Sequence, residues 1–474
     1  MSMLRFFFFI CACSCPGMLQ SQNAIIWDDP VGSVPADFGY LNLRMELDAA
    51  GHPIILHGKS GTEGGLYCTR FVDGVLTAPV QVTEETGLFI NDAEGPRMAV
   101  SGNRVAVAYQ ISGQWADGGR IVISEDGGVT WGDPIPIAPG ATEDHFMPIP
   151  AFDEDAQPWV AVKWGVNPVL EGVQFWDPAA GAFLPPVDAG APMDGAAVCE
   201  CCASMPFTHD GRHYDIVRNN DDNLRDFWVV RTDEEGQWTE ALDVDPTNWT
   251  INSCPASEAE SCVLGDGTLA IVYMSAAEGG TRVYWSTVDL NGWSLTGSDR
   301  IQSALDITEN NPSIDADGTA SVVAWERSQG GYNIYVAHGD GTASAPEQWE
   351  SSATGLTEDL SGHSRRPVIR MEGSTVHLVY QRPSEGTFHY MQGTLTGTSA
   401  LDHPTSDVSS PKRLRQGWLL PIADGPFAWT ILDMQGRNVA SGVATSDLVP
   451  FTESGSHVLL VSAPGGERRF RLVR

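Results

Sequence analysis

The chain has 474 residues, 42% of them hydrophobic, with 50 glycines, 15 tryptophans and a formal net charge of −34. That size and apolar share build a folded protein with a sizeable core and exclude a disordered one. The acidity excludes nucleic acid and anionic lipid surfaces as partners, because both repel such a charge.

The first segment, Met1 to Asn23, places Arg5 ahead of an apolar run from Phe6 to Ala12, with small residues after it. This is the layout of a secretory signal peptide over residues 1–21, too short to span a bilayer. The mature chain is expected to carry no transmembrane segment. Cleavage near Ser21 leaves Cys68, Cys199, Cys201, Cys202, Cys254 and Cys262. Export puts these thiols in an oxidising compartment, where disulfides are the ordinary outcome.

From residue 22 to about 400 the chain repeats itself, most visibly through one proline per copy. Pro96, Pro148, Pro206, Pro255, Pro312 and Pro367 follow one another at intervals of 52, 58, 49, 57 and 55 residues. After each proline a short strand, a Gly- or Asp-containing turn, an apolar second strand and a third strand are expected. Val105 to Tyr109, Leu269 to Tyr273 and Val376 to Tyr380 are such second strands. A copy without the proline precedes these, with strands at Leu43 to Leu47, Pro53 to His57 and Gly65 to Thr69. Units of this kind bury their faces only against their neighbours, so the expected fold is all-β, a β-propeller. Counting units favours seven blades, and six blades with a split terminal unit is the alternative.

One unit carries Ser124-Glu125-Asp126-Gly127-Gly128-Val129-Thr130-Trp131. Asp126 can accept N–H groups within its own turn, Gly128 permits positive φ, and Trp131 can pack back on the blade. The motif resembles the Asp-box of sialidase-like propellers, in which Ser124, Asp126, Gly128 and Trp131 have a structural role. That resemblance implies the fold and assigns no catalytic residue.

Residues 401–416 read as a polar linker, and residues 417–474 as a small antiparallel β-sandwich-like domain. Its Asp433-Met434-Gln435-Gly436-Arg437 turn and its basic end, Arg468 to Arg474, resemble the C-terminal sorting domain of the type IX secretion system. The resemblance implies a Bacteroidetes-type bacterium and the type IX machinery as a partner. It also implies an extracellular or outer-membrane-surface location.

In a propeller the innermost strands all begin at one end of the axis, so the residues before each repeat proline are expected to converge there. The converging sets include Asp92 and Glu94; His145 and Met147; Cys199, Cys201 and Cys202; Asn252 and Cys254; Asn310 and Asn311; and His363, Arg365 and Arg366. Two readings of the sulfurs stay open beside a simply reactive cysteine. Cys254 can bond one member of the triplet and staple two blades, or the thiolates can hold copper or zinc, assisted by His145, Met147 or His363. With no metal there, no other cofactor is expected.

Arg225, Asn252, Arg365 and Arg366 are candidate ligand-binding residues, since a guanidinium fork suits an anionic group. No Phe-Arg-Ile-Pro stretch opens the first unit, where Leu43-Arg44-Met45 stands instead. The sequence therefore reads as an exported propeller that binds a soft metal or a glycan. The alternatives are an exo-acting glycosidase of sialidase type and a disulfide-stapled interaction module.

Overall fold

The structure is a computed structural model. It describes residues 24–396 apart from 32–33, 62–63, 195–196, 302–306, 319, 329, 340–349, 352–354 and 359, and the strands lying between Lys412 and Leu472. The signal segment, residues 401–411 of the expected linker and residues 434–437 of the Asp433 turn lie outside the described residues. The chain falls into two compact units, Met1–Ala400 and Leu401–Arg474.

Seven antiparallel sheets of four or five strands make up the first unit, each built from consecutive strands except the last. It is a seven-bladed β-propeller. The inner strands are Leu41–Leu47, Arg97–Ser101, His145–Phe152, Met205–His209, Glu260–Val263, Thr308–Asp317 and Arg365–Glu372, for blades 1 to 7 in order. Second strands are largely buried on both faces because a neighbouring blade covers each side. In blade 2, for example, Val105 to Tyr109 are all 0% exposed.

Apolar seams join each blade to the next. Ile54 and Leu56 of blade 1 pack with Val105 and Val107 of blade 2, and so on round to Val368 and Val379 of blade 7, which meet Leu43 and Ile55 of blade 1. The ring closes through a strand that the repeat does not announce. Ala24–Trp27 pairs antiparallel with Thr387–Thr396 and supplies the outer strand of blade 7.

The repeat proline has a physical reason. In blades 3, 6 and 7 the inner strand is bulged across the proline, between Phe146 and Ile149, Asn310 and Ser313, and Arg365 and Val368. Blade 1 has the same bulge between Leu41 and Arg44. A residue with φ near 50° sits in each, namely Met147, Asn311, Arg366 and Asn42. A bulge leaves a residue out of the ladder, so a proline lacking N–H forfeits no ladder bond there.

Ser124–Trp131 forms the turn after the third strand of blade 2. Asp126 Oδ1 accepts the N–H groups of Val129 (3.1 Å) and Thr130 (2.8 Å), and Ser124 Oγ accepts that of Gly128 (2.8 Å). Gly128 has φ +82°, and a Cβ there would stand 2.8 Å from Cys68 Sγ. Trp131 packs on the seam between blades 1 and 2.

In the second unit Asn438–Ala444, Phe427–Asp433, His457–Ala463 and Gly466–Leu472 form one antiparallel sheet in that spatial order. Lys412–Leu414, Gly417–Leu419 and Leu448–Val449 form another. Lys412–Leu414, expected as linker, is therefore a strand.

Candidate functional site

The inner strands enclose an axial cavity of about 340 Å³, lined among others by Arg44, Arg97, Ile149, Met205, Glu258 and Arg370. A second cavity, of about 370 Å³, shares Glu46, Met205 and Arg370 with it and includes Asp315.

Guanidinium groups from three blades meet at the axis. Arg44 Nη2 donates to both oxygens of Glu258, at 3.0 and 3.2 Å, and Arg97 Nη2 donates to Glu258 Oε2. Arg44 and Arg366 both donate to the carbonyl oxygen of Asp92, each at 3.2 Å, and the Asp92 carboxylate stands 3.5 Å from Arg366. Burial, Arg44 and Arg366 pull Arg97 down to about 9, while Glu258 and Glu260 pull it up. Beside this cluster Arg370 pairs with Glu46 at 2.6 Å and Glu260 at 3.3 Å.

Only part of this set is visible in sequence. Arg366 and Asp92 stand where the convergence of inner strands puts them. Arg97 and Glu258 fall outside the converging sets, although Arg97 directly follows a repeat proline and that position is the available signal. Glu258 carries none, because blade 5 begins its inner strand only at Glu260. Arg365 turns aside, stacking on Tyr332 at 4.2 Å and pairing with Glu326 at 2.9 Å.

The cysteines form a separate buried cluster. Val198 N donates to Val169 O of blade 3 and Cys199 N to Arg218 O of blade 4, so this run is laid between two blades. Cys199, Cys201, Cys202 and Cys254 are not among the residues lining the two axial cavities described above. Cys201 and Cys254 are joined in a disulfide. The segment Cys254–Glu258 then runs from this bond to the arginine cluster.

Cys199 Sγ lies 3.2 Å from Cys202 Sγ and 3.5 Å from Cys201 Sγ. Arg225 Nη1 donates to Cys199 Sγ at 2.9 Å, which commits this candidate ligand-binding residue to a thiol. The sulfurs of Cys199, Cys201 and Cys202 all lie within 4.8 Å of one another, close enough to hold a metal. In the disulfide form the free sulfurs among them are Cys199 and Cys202.

The other expected ligands stand apart from this group. His145 Nδ1 pairs with its neighbour's carbonyl, Glu143 O, at 2.8 Å. Met147 is buried in the apolar seam between blades 3 and 4. His363 Nδ1 accepts the N–H of Tyr332 at 3.2 Å. Asn252 is exposed two residues before Cys254.

Under the cluster lies a buried charge group. Lys163 and Glu171, 1% and 0% exposed, form an ion pair, and Ser204 Oγ donates to Glu171 at 2.8 Å. Burial and the neighbouring Glu171 push the buried Asp215 well above the usual carboxylate range.

No family model matches the chain, and no curated protein matches it. Solved structures match its fold. An ulvan lyase of a polysaccharide lyase family, bound to -[GlcA(1-4)Rha3S]-, superposes with TM-score 0.50 and 12% identity over 78% of this chain and 96% of that one. The β-propeller domain of the trilobed protease from Pyrococcus furiosus gives TM-score 0.41 and 10% identity over 81% and 98%. An α-L-arabinanase from Penicillium chrysogenum with arabinobiose gives 0.43 and 13% over 79% and 97%. At 12% identity the likeness to the ulvan lyase concerns the fold alone.

Proposed function

We propose that the protein binds a carboxylate-bearing glycan at the axial arginine cluster. The observation that carries this reading is the convergence of Arg44, Arg97 and Arg366, from three blades, on Glu258 and Asp92. Glu258 already sits where a carboxylate accepts from two guanidinium groups, which is the chemistry an external carboxylate would use. The uronic acid in the ulvan lyase complex is a ligand of the required chemistry. Among described residues no helix is long and apolar enough to cross a membrane. The disulfide suits an oxidising compartment, which supports the reading of residues 1–21 as an export signal.

The test is calorimetric titration of the mature chain with N-acetylneuraminate, with an oligoglucuronate and with a neutral oligosaccharide. Binding of an acidic sugar, weakened at least tenfold in Arg366→Ala and in Arg44→Ala, is expected. Equal binding of the neutral sugar, or arginine variants that bind as wild type, would remove the reading. Product assays run on the same samples separate binding from turnover.

A further inference from the structure

Glycan recognition leaves the sulfur cluster unused. Cys199-Glu200-Cys201-Cys202 places two thiols at C-x-x-C spacing, with their sulfurs 3.2 Å apart. The Cys202 thiol, the N–H of Cys201 and the Arg225 guanidinium all favour the anion at Cys199, and they bring its pKa down to about 6 against burial. Burial and the neighbouring Cys199 sulfur push Cys202 up. The Arg225 guanidinium 2.9 Å from Cys199 marks that sulfur as the attacking member of the pair, with Cys202 beside it as the second. The Cys199 sulfur also stands 3.5 Å from Cys201, half of the Cys201–Cys254 disulfide. Exposure rises along the set, from 0% at Cys199 and 1% at Cys202, through 7% at Cys201, to an exposed Cys254.

We propose that these four cysteines are a thiol–disulfide exchange site that meets the thiols or disulfides of other molecules at Cys254. The Cys199 thiolate attacks Cys201 Sγ, a Cys199–Cys201 bond forms, the Cys201–Cys254 bond breaks and Cys254 leaves as a thiolate. Cys202 then attacks Cys199, its proton passes to the departing Cys201 sulfur, and a Cys199–Cys202 disulfide results. One disulfide and two thiols exist before and after, so no outside oxidant enters. Exchange with a partner is balanced in the same way. A partner dithiol attacks at Cys254, passes through a mixed disulfide and leaves oxidised, while the protein gains two thiols. A partner disulfide drives the reverse. Arg225 is a positioning residue here, acting through the Cys199 thiolate.

The experiment equilibrates the full mature chain in mixtures of glutathione and glutathione disulfide. The mixtures are quenched with acid, free thiols are alkylated, and disulfides are mapped by mass spectrometry. Wild type is expected to show a Cys199–Cys202 link beside Cys201–Cys254, and a glutathione adduct at Cys254. Cys199→Ser, which keeps the disulfide staple, is expected to abolish the Cys199–Cys202 link while Cys201–Cys254 and the glutathione adduct at Cys254 remain. Arg225→Gln is expected to raise the pH of half-maximal exchange by about one unit, with partial rescue by Arg225→Lys; an unchanged profile would remove Arg225 from the proposal. A wild-type chain holding only Cys201–Cys254 at every glutathione ratio overturns the proposal. So does stoichiometric copper or zinc that shields Cys199 and Cys202 from alkylation. If Cys199→Ser fails to fold, the wild-type map and the Arg225 profiles still decide.

Discussion

Glu258→Gln tests the arginine cluster through charge alone, because the amide oxygen keeps an acceptor for Arg44 while the negative charge disappears. Side chains here are 20% exposed at Glu258, 14% at Arg44 and 21% at Arg366, so the site is partly screened. A ligand carboxylate seated ~5 Å from Glu258 would feel roughly 3 kcal/mol of repulsion at an effective dielectric near 20. Discounted by about half for solvent, that is ~1.5 kcal/mol, or about tenfold in affinity. The Arg97 side chain, 7% exposed, loses its charged partner, at a cost to folding of about 1–2 kcal/mol. Titration with oligoglucuronate near physiological salt reads the first quantity, and urea unfolding of the same samples reads the second. A variant that binds the acidic sugar no better than wild type, while remaining folded, would refute the seating of a ligand carboxylate beside Glu258.

Lys163→Met strands the buried Glu171 charge and is expected to destabilise the propeller by about 3–5 kcal/mol, whereas Lys163→Met/Glu171→Leu recovers most of that loss. Urea midpoints compare the two, and a double variant as weak as the single one contradicts the pairing. Burial, then the neighbouring Asp245, raises Asp226 to about 7. Its folded pKa lies above its unfolded one, so its contribution is full below about pH 4 and is lost as pH rises toward 7. Stability should fall by up to ~4 kcal/mol across that window, and Asp226→Asn should flatten the slope. Gly128→Ala meets both a positive φ and the Cys68 sulfur, and is expected to lose about 1–3 kcal/mol. A thermal melt unchanged by that substitution would show that the turn can relax.

The all-β class and the seven units are legible in sequence because each blade is a local hairpin series with its own apolar strand and turn. The repeat proline marks the inner strand for the same reason, since a bulge tolerates a residue without N–H. The convergence of inner strands on one end of the axis also follows from the repeat, and it places Arg366 near Asp92. Partners 161 and 214 residues apart do not follow from it. Glu258 meets Arg97 and Arg44 because the ring closes, and closure depends on Ala24–Trp27 pairing with the last blade.

For the cysteines, local spacing brings Cys199, Cys201 and Cys202 together, and the repeat puts Cys254 at the start of the next unit, beside its proline. The sequence by itself therefore determined the repeat, the turn chemistry and the grouping of sulfurs, all of which are short-range properties of the backbone. Only the tertiary structure decided which sulfur Cys254 takes, that Arg225 faces Cys199, and that histidines 145 and 363 stand elsewhere. Those choices depend on how neighbouring blades twist and pack against each other, and no single repeat contains that information.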